Sequence, residues 1–181
     1  MAETGISISP GLVVVFDLDD TLYDEADFVL SGIDAVLPLL GSIEGLDTDE
    51  CRRVMREAVT RHENHYSALE CCLDHVGVRE QVSMENIVTA LRNHRPCHIE
   101  LRPGMKQALD ELYSRGVILG LLTDGRSTTQ RHKIEALDIS HYFDSDAIRI
   151  SGETGVDKYM AAAYRWFRER YPGKKYVYVG D

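Results

Sequence analysis

Short apolar segments that end at polar clusters constrain the fold of this chain more than any other feature. Leu12–Phe16, Val117–Leu122 and Tyr176–Val179 follow turn residues and are rich in β-branched or aromatic side chains, which is typical of strands buried on both faces of a sheet. A weaker strand is predicted at about 146–150. Helical patterns at about 103–112, Ser127–Leu137 and Asp157–Tyr171 precede the later three strands, so the sequence predicts an α/β fold with a doubly wound parallel sheet.

A helical insertion interrupts this alternation of strands and helices. Residues 25–98 contain no convincing strand, and the spacing of their apolar side chains predicts successive helices. These helices are Glu25–Leu40, Asp49–Val76 and Ser83–Arg95. Asp47 stands where a capping residue would open the second helix. The chain is therefore predicted to contain an α/β core, formed by residues 1–24 and 99–181, and an inserted helical domain at 25–98.

Length and charge limit the classes of protein to which the chain can belong. Its 181 residues suffice for one ordinary domain with a small insertion. Twenty basic against thirty acidic side chains give a net charge of −10, which repels nucleic acids and anionic lipid surfaces. The longest strictly apolar run, Leu12–Phe16, is too short to span a membrane, and no basic segment opens the chain. The charge and the short apolar runs thus predict a protein that binds neither nucleic acid nor membranes, and four cysteines without a C-x-x-C spacing favour a reduced, cytoplasmic one.

Two acidic residues directly after the first strand point to a site for a cation. The carboxyl ends of parallel strands meet at one edge of a sheet, where ligands bind, so the polar residues after each strand are expected to converge. Asp17 and Asp19 follow the first strand, and residues 1–51 hold twelve acids and no Lys or Arg. At about 4 Å two carboxylates repel by roughly 4 kcal/mol at an effective dielectric near 20. The pair therefore requires a bound cation or a raised pKa on one of its members.

Four segments of the chain resemble the motifs of the haloacid dehalogenase-like hydrolases. They are Asp17-Leu18-Asp19-Asp20-Thr21, Thr123 after an apolar strand, Lys158, and Gly180-Asp181. The segments follow the order of the family's motifs, and the resemblance covers nearly the whole chain. It implies a Rossmann-like core, and it makes the insertion at 25–98 a helical cap of the family's C1 type, which would cover the active site.

The resemblance also implies a catalytic role for each of four residues. Asp17 would be the nucleophile, forming an aspartyl-phosphate that water later hydrolyses, which divides one difficult displacement into two easier ones. Asp19 would be the general acid and base, protonating the leaving oxygen and then activating water. Thr123 would donate a hydrogen bond to the phosphoryl oxygens, and Lys158 would neutralise the phosphate and the Asp17 carboxylate.

Substrate and metal ligands follow from the same resemblance. The implied substrate-binding residues are Thr123, Asp124, Gly125 and Lys158. The implied ligands of a Mg²⁺ cofactor are Asp17, the backbone carbonyl of Asp19, and Asp181. Relatives continue past this last residue through a loop that carries another acid, so we expect a chain that is incomplete after Asp181.

The acidic motif indicates which of the family's reactions to expect for this chain. A dehalogenase expels halide and needs no acid at Asp19, so dehalogenation is disfavoured. Thr21 resembles the phosphatase branch, although a phosphomutase that uses the same aspartyl-phosphate remains an alternative. The sequence predicts a Mg²⁺-dependent phosphatase of a small phosphate monoester, either a sugar phosphate or a nucleoside monophosphate. Because we expect the chain to be incomplete after Asp181, a non-catalytic phosphate-binding or regulatory protein is the alternative of a different class.

Overall fold

A parallel sheet forms the centre of the α/β part of the protein. The computed structural model describes residues 8–61 and 65–180. Within them the strands are β1 (Leu12–Phe16), β2 (Ile118–Thr123), β3 (Ile148–Ile150) and β4 (Lys175–Val179), in the spatial order β3-β2-β1-β4. All four are parallel, and Val13 of β1 lies opposite both Ile118 and Tyr176. The structure thus has the doubly wound α/β sheet that the sequence predicts.

The order of the strands fixes where a ligand can bind in this sheet. From β1 the chain adds β2 and β3 on one side and then returns to add β4 on the other. In open α/β sheets the ligand crevice lies outside the carboxyl ends of the strands at such a reversal. Asp17 follows β1 directly, so it stands at this point.

Eight α-helices accompany the strands in the described residues. They are α1 (Glu25–Leu40), α2 (Thr48–Thr60), α3 (His65–Val76), α4 (Met84–Asn93), α5 (Met105–Ser114), α6 (Ser127–Ala136), α7 (Ser151–Thr154) and α8 (Ala161–Arg170). The chain divides into two compact units, one formed by residues 25–99 and the other by the residues before and after them. No helix among the described residues is long and apolar enough to cross a bilayer.

The α/β unit has an apolar layer between its sheet and α8. Phe167 of α8 and Tyr171, which caps this helix, are buried there with Val13, Val15 and Leu122 of the sheet. Gly120 in β2 permits the close approach, because a Cβ at this position would lie 2.4 Å from Cε1 of Phe167.

Residues 25–99 form a separate helical unit with its own apolar core. Ile33 and Leu37 of α1 are buried in one cluster with Met55 of α2 and Leu69 of α3. Asp47 caps α2, as its position in the sequence predicts, because its side chain accepts hydrogen bonds from the backbone N–H groups of residues 49 and 50 at 2.9 and 3.1 Å.

Two predicted helices differ from those of the structure. The helix expected at 49–76 is divided into α2 and α3, because α2 ends at Thr60 and the backbone N–H of the following Arg61 donates to Ala58 O. The helix expected from 157 begins at Ala161, and Lys158 lies in the preceding turn. That turn is held outside the helix because the backbone N–H of Lys158 donates to the carboxylate of Asp124.

Candidate active site

Asp17 is the most deeply buried acid at the carboxyl edge of the sheet. Its backbone N–H extends the pairing of β1 with β4 by donating to Val179 O at 2.9 Å. Its side chain is 2% exposed. Oδ1 accepts the backbone N–H of Leu18 at 2.7 Å, and Oδ2 lies 2.6 Å from Nζ of Lys158. The structure thus brings together the acid and the lysine that the sequence predicts as nucleophile and phosphate neutraliser.

Burial raises the pKa of the Asp17 carboxyl above its ordinary value. The hydrogen bonds and charge of Lys158 and the amide of Leu18 act in the opposite direction, and repulsion by Asp19 is the weakest of the causes. Removal from water therefore outweighs the mutual repulsion that the sequence analysis emphasised. The charge and hydrogen bonds around Asp17 therefore do not fully offset the free-energy cost of burying its ionised form.

Asp124 and β2 place Lys158 at the site. The Asp124 carboxylate accepts the backbone N–H of Lys158 with both oxygens, at 3.0 and 3.3 Å. This bond ties the turn before α8 to the end of β2. In the structure the Asp124 side chain accepts hydrogen bonds from the Lys158 backbone, and a contact of Asp124 with substrate stays a prediction.

Asp19 is enclosed by donors that the sequence analysis did not identify. Its Oδ1 lies 2.6 Å from Nζ of Lys133 and accepts the hydroxyl of Tyr23 at 2.5 Å. Its Oδ2 accepts Nε2 of Gln130 at 2.9 Å. Lys158 therefore pairs with Asp17, and Lys133 pairs with Asp19. The ammonium groups of these lysines supply part of the positive charge that the sequence predicts for this site.

Thr123 is joined to Asp19 through one side-chain amide. Thr123 ends β2, is 1% exposed, and accepts a hydrogen bond from Nε2 of Gln130 at 2.6 Å. Because its oxygen is the acceptor in this bond, its own hydroxyl hydrogen is available for another acceptor. That is the polarity required of a side chain predicted to donate to a phosphoryl oxygen.

Gly125 is held against the loop that follows β3. Its φ of 138° lies in a region that favours glycine, and its N–H donates to Oγ of Ser151 at 2.9 Å. A Cβ on Gly152 would lie 2.5 Å from Gly125 O, so glycine is required there for the two loops to meet. Gly125 was predicted to bind substrate, and in the structure its amide contacts the protein itself.

An ion pair fastens the same two loops. Glu153 of α7 accepts hydrogen bonds from Arg131 of α6 at 2.8 and 2.7 Å and from the Ser127 hydroxyl at 2.6 Å. These bonds, that of Arg131 first, lower the pKa of Glu153 to about 2. The loops after β2 and β3 thus form one connected rim beside Thr123.

The fourth predicted motif reaches the site at the end of β4. A Cβ on Gly180 would lie 2.9 Å from Cβ of Asp17 and 2.7 Å from the hydroxyl of Tyr178, so the backbone passes directly against the nucleophile candidate. Asp181, predicted as a metal ligand, lies outside the described residues.

The donors around Asp17 fit a Mg²⁺ ion. Mg²⁺ prefers oxygen ligands and is commonly held by one or two carboxylates together with substrate phosphate and water. Asp17 offers a buried carboxylate whose charge Lys158 does not fully offset, whereas a group of three acidic, His or Cys side chains suited to a metal is absent from the described residues. The Asp17 carboxylate and the Asp19 backbone carbonyl are the described groups that would hold the ion.

The sequence motifs described above do not include Gln130 or Lys133, two polar residues of α6. Both are nearly inaccessible, at 1% and 3% exposure, and both lie on a buried stripe with Ile134 of α6 and with Leu137, which caps this helix. The i, i+3, i+4 and i+7 spacing of these four positions is that of a core-facing helix surface. A Gln and a Lys inside such a stripe are the signal that could have identified them, since buried polar groups need partners.

Comparison with known proteins agrees with this geometry. The family model described as haloacid dehalogenase-like hydrolase matches residues 14–181. A glyceraldehyde 3-phosphate phosphatase of Methanocaldococcus jannaschii is 25% identical over 175 residues, which cover 93% of this chain and 75% of that protein. A phosphoglycolate phosphatase of Pseudomonas savastanoi is 24% identical over 181 residues, 93% of this chain and 62% of that protein.

The fold has solved counterparts as well. A hydrolase from Streptococcus pneumoniae superposes with a TM-score of 0.55 at 18% identity, over 91% of this chain and 79% of that one. At this identity the likeness concerns the fold. Since the family model spans residues 14–181, which include most of the sheet and the strand-end residues described above, the chain belongs to the haloacid dehalogenase-like hydrolase family.

Proposed function

We propose that the protein is a Mg²⁺-dependent phosphatase that hydrolyses a small phosphate monoester through an aspartyl-phosphate on Asp17. The observation that carries the proposal is the joining of separate strand ends at one place. Lys158 contacts Asp17 at 2.6 Å, and Gln130 links Asp19 to Thr123 at 2.9 and 2.6 Å. The relatives' names support a phosphoric monoester hydrolase.

The chemistry assigns one task to each group. A carboxylate oxygen of Asp17 attacks phosphorus while the bond from phosphorus to the ester oxygen breaks, and that oxygen takes the proton of Asp19. Thr123 donates its hydroxyl hydrogen to the phosphoryl group, and Lys158 offsets negative charge. Water then attacks the phosphorus of the aspartyl-phosphate, gives a proton to Asp19 and releases Asp17. A bound Mg²⁺ would supply further positive charge opposite Asp17 and the phosphoryl oxygens.

The relatives also bear on the class of substrate. Both names specify phosphates of two- or three-carbon compounds. We therefore propose a small phosphorylated metabolite of this size, ahead of the larger sugar phosphates and nucleoside monophosphates. A role for residues 25–99 as a lid over the site, which would exclude water and select the substrate, remains a proposal from the family resemblance.

A turnover assay with matched variants tests the proposal. Phosphate release is measured with and without Mg²⁺ on an aryl phosphate, glyceraldehyde 3-phosphate, phosphoglycolate, a hexose phosphate and a nucleoside monophosphate. We expect Mg²⁺-dependent turnover, its loss in Asp17→Asn, and its retention in Asp34→Asn, which alters an exposed acid of α1 that pairs with Arg52. If the folded wild-type protein binds phosphate but hydrolyses none of these esters, the non-catalytic alternative replaces the phosphatase.

A further inference from the structure

The side chain of Asp19 is fixed in rotation by bonds to both of its oxygens. A carboxylate held at a single oxygen can still turn about its Cβ–Cγ bond. Here Oδ1 is held by Lys133 and Tyr23 while Oδ2 is held by Gln130, at 2.5 to 2.9 Å. Two of these donors come from the same face of α6, one turn apart. The position of the Asp19 carboxylate is therefore set by this helix as well as by its own backbone.

The amide of Gln130 also fixes the spacing between two groups of the site. Its Nε2 carries two hydrogens in one plane, and it donates to Asp19 Oδ2 at 2.9 Å and to Thr123 Oγ1 at 2.6 Å. The side chain is 1% exposed, so it has little room to move. It holds the proposed acid and the proposed phosphoryl donor at a set separation.

The stability of the fold does not by itself explain why residue 133 is a lysine. Its side chain is 3% exposed against 22% for the Asp19 side chain. Burying an ammonium is unfavourable unless it is paired, and apolar residues of similar size at such places are often equally stabilising. Its Nζ also lies 5.8 Å from the centre of the buried Tyr23 ring, so lysine and tyrosine approach the same carboxylate oxygen together.

We propose that Lys133 and Gln130 of α6 are positioning residues for the hydrolysis, holding the Asp19 carboxylate where it delivers a proton to the leaving oxygen. The proposal rests on the proposed function, since it requires Asp19 to act as the acid. Displacing a catalytic group by about 1 Å reduces a rate by as much as roughly 100-fold. Loss of Lys133 or Gln130 should therefore slow proton delivery more than it slows attack by Asp17.

Leaving groups of different basicity separate these two effects. An alkyl phosphate releases a strongly basic oxygen that needs the proton of Asp19, whereas p-nitrophenyl phosphate releases a stable phenolate that needs little help. The first turnover of each ester is measured by rapid mixing with excess enzyme, so that the later hydrolysis of the aspartyl-phosphate does not enter. The variants are Lys133→Met and Gln130→Met, and the control is Lys106→Met, a lysine in an exposed ion pair with Asp110 on α5.

We expect Lys133→Met to lower the first-turnover rate of the alkyl ester roughly 10- to 100-fold and that of the aryl ester less than about threefold. Gln130→Met should shift the ratio of the two rates in the same direction. The proposal is therefore testable with Gln130→Met alone if the Lys133 variant fails to fold. An equal loss of rate on both esters, or unchanged rates in a folded variant, would overturn the proposal. Lys133 and Gln130 would then have only a structural role. Absence of turnover in the wild type would instead reject the proposed function itself.

Discussion

Replacing Lys158 by methionine should destabilise the folded protein, and the effect should grow as the pH rises. Met keeps the length of the side chain and removes the charge that faces Asp17. The ammonium and the carboxylate oxygen are 2.6 Å apart, with side chains 20% and 2% exposed. At an effective dielectric near 20 the attraction is roughly 6 kcal/mol before desolvation. Removing one partner of a buried pair costs about 3–5 kcal/mol, and the partial exposure of Lys158 reduces the expected loss to about 2–4 kcal/mol.

The pH dependence follows from the direction of the Asp17 shift. Burial raises the pKa of Asp17 above its ordinary 3.8, and Lys158 opposes this rise. In the variant the folded-state pKa therefore rises further while that of the unfolded state does not change. Below about pH 3.8 both states hold the proton and no loss is seen. Above it the unfolded state releases its proton first and both proteins lose stability with rising pH, the wild type up to its own folded-state pKa and the variant up to its higher one, so the difference grows between these two pKa values.

Urea unfolding in the presence of a chelator measures this effect. The wild type and Lys158→Met are compared at pH 5 and pH 8, with Lys106→Met as a control for loss of an exposed lysine. Asp17→Asn in the Lys158→Met background should recover most of the lost stability, because no buried charge is then left unpaired. An equal loss at both pH values, or a double variant as unstable as Lys158→Met, would refute the reasoning.

Three further substitutions test the fold and the rim of the site. Gly120→Ala should lower the free energy of unfolding by about 1–3 kcal/mol in urea titrations, because the new methyl would lie 2.4 Å from the ring of Phe167. Asp47→Ala should lower it by about 1 kcal/mol through loss of the α2 cap. Glu153→Gln should lower it by about 1 kcal/mol at pH 7, a value reduced by the exposure of Arg131. Since the pKa of Glu153 falls from 4.5 to about 2, this difference should disappear as the pH falls from 4.5 towards 2.

Matched controls accompany these substitutions. Gly11→Ala adds the same methyl 3.6 Å from Oγ of Ser9 and should be neutral where Gly120→Ala is not. Asp47→Asn keeps a capping oxygen and should retain most of the stability. A Glu153→Gln difference that persists unchanged at low pH would show that its ion pair with Arg131 is not the cause.

The strands and the strand-end residues could be predicted because short-range sequence determines them. Apolar runs such as Leu12–Phe16 are buried on both faces wherever they lie in a parallel sheet. The crossover rules then bring Asp17, Thr123 and the end of β4 to one edge. Nothing in this reasoning depends on the rotation of a helix or on the conformation of a turn.

The surroundings of Asp19 could not be predicted from the same rules. Lys133 reaches Asp19 from 114 positions away, and its contact depends on how α6 is rotated against the sheet. Lys158 is likewise predicted to lie in a helix but lies in a turn. Local periodicity carries no information about the bond from its backbone N–H to Asp124. Long-range polar contacts of this kind are settled by tertiary packing.

Trapping of the covalent intermediate tests the central claim most directly. The wild-type protein is mixed with Mg²⁺ and p-nitrophenyl phosphate, quenched during the first turnover, and treated with borohydride, which reduces an aspartyl-phosphate to homoserine. Peptide mass spectrometry then locates the modified residue. We predict homoserine at position 17 and none in protein incubated without substrate. Turnover without modification at Asp17, or modification at a different acid, would contradict the mechanism proposed for this site.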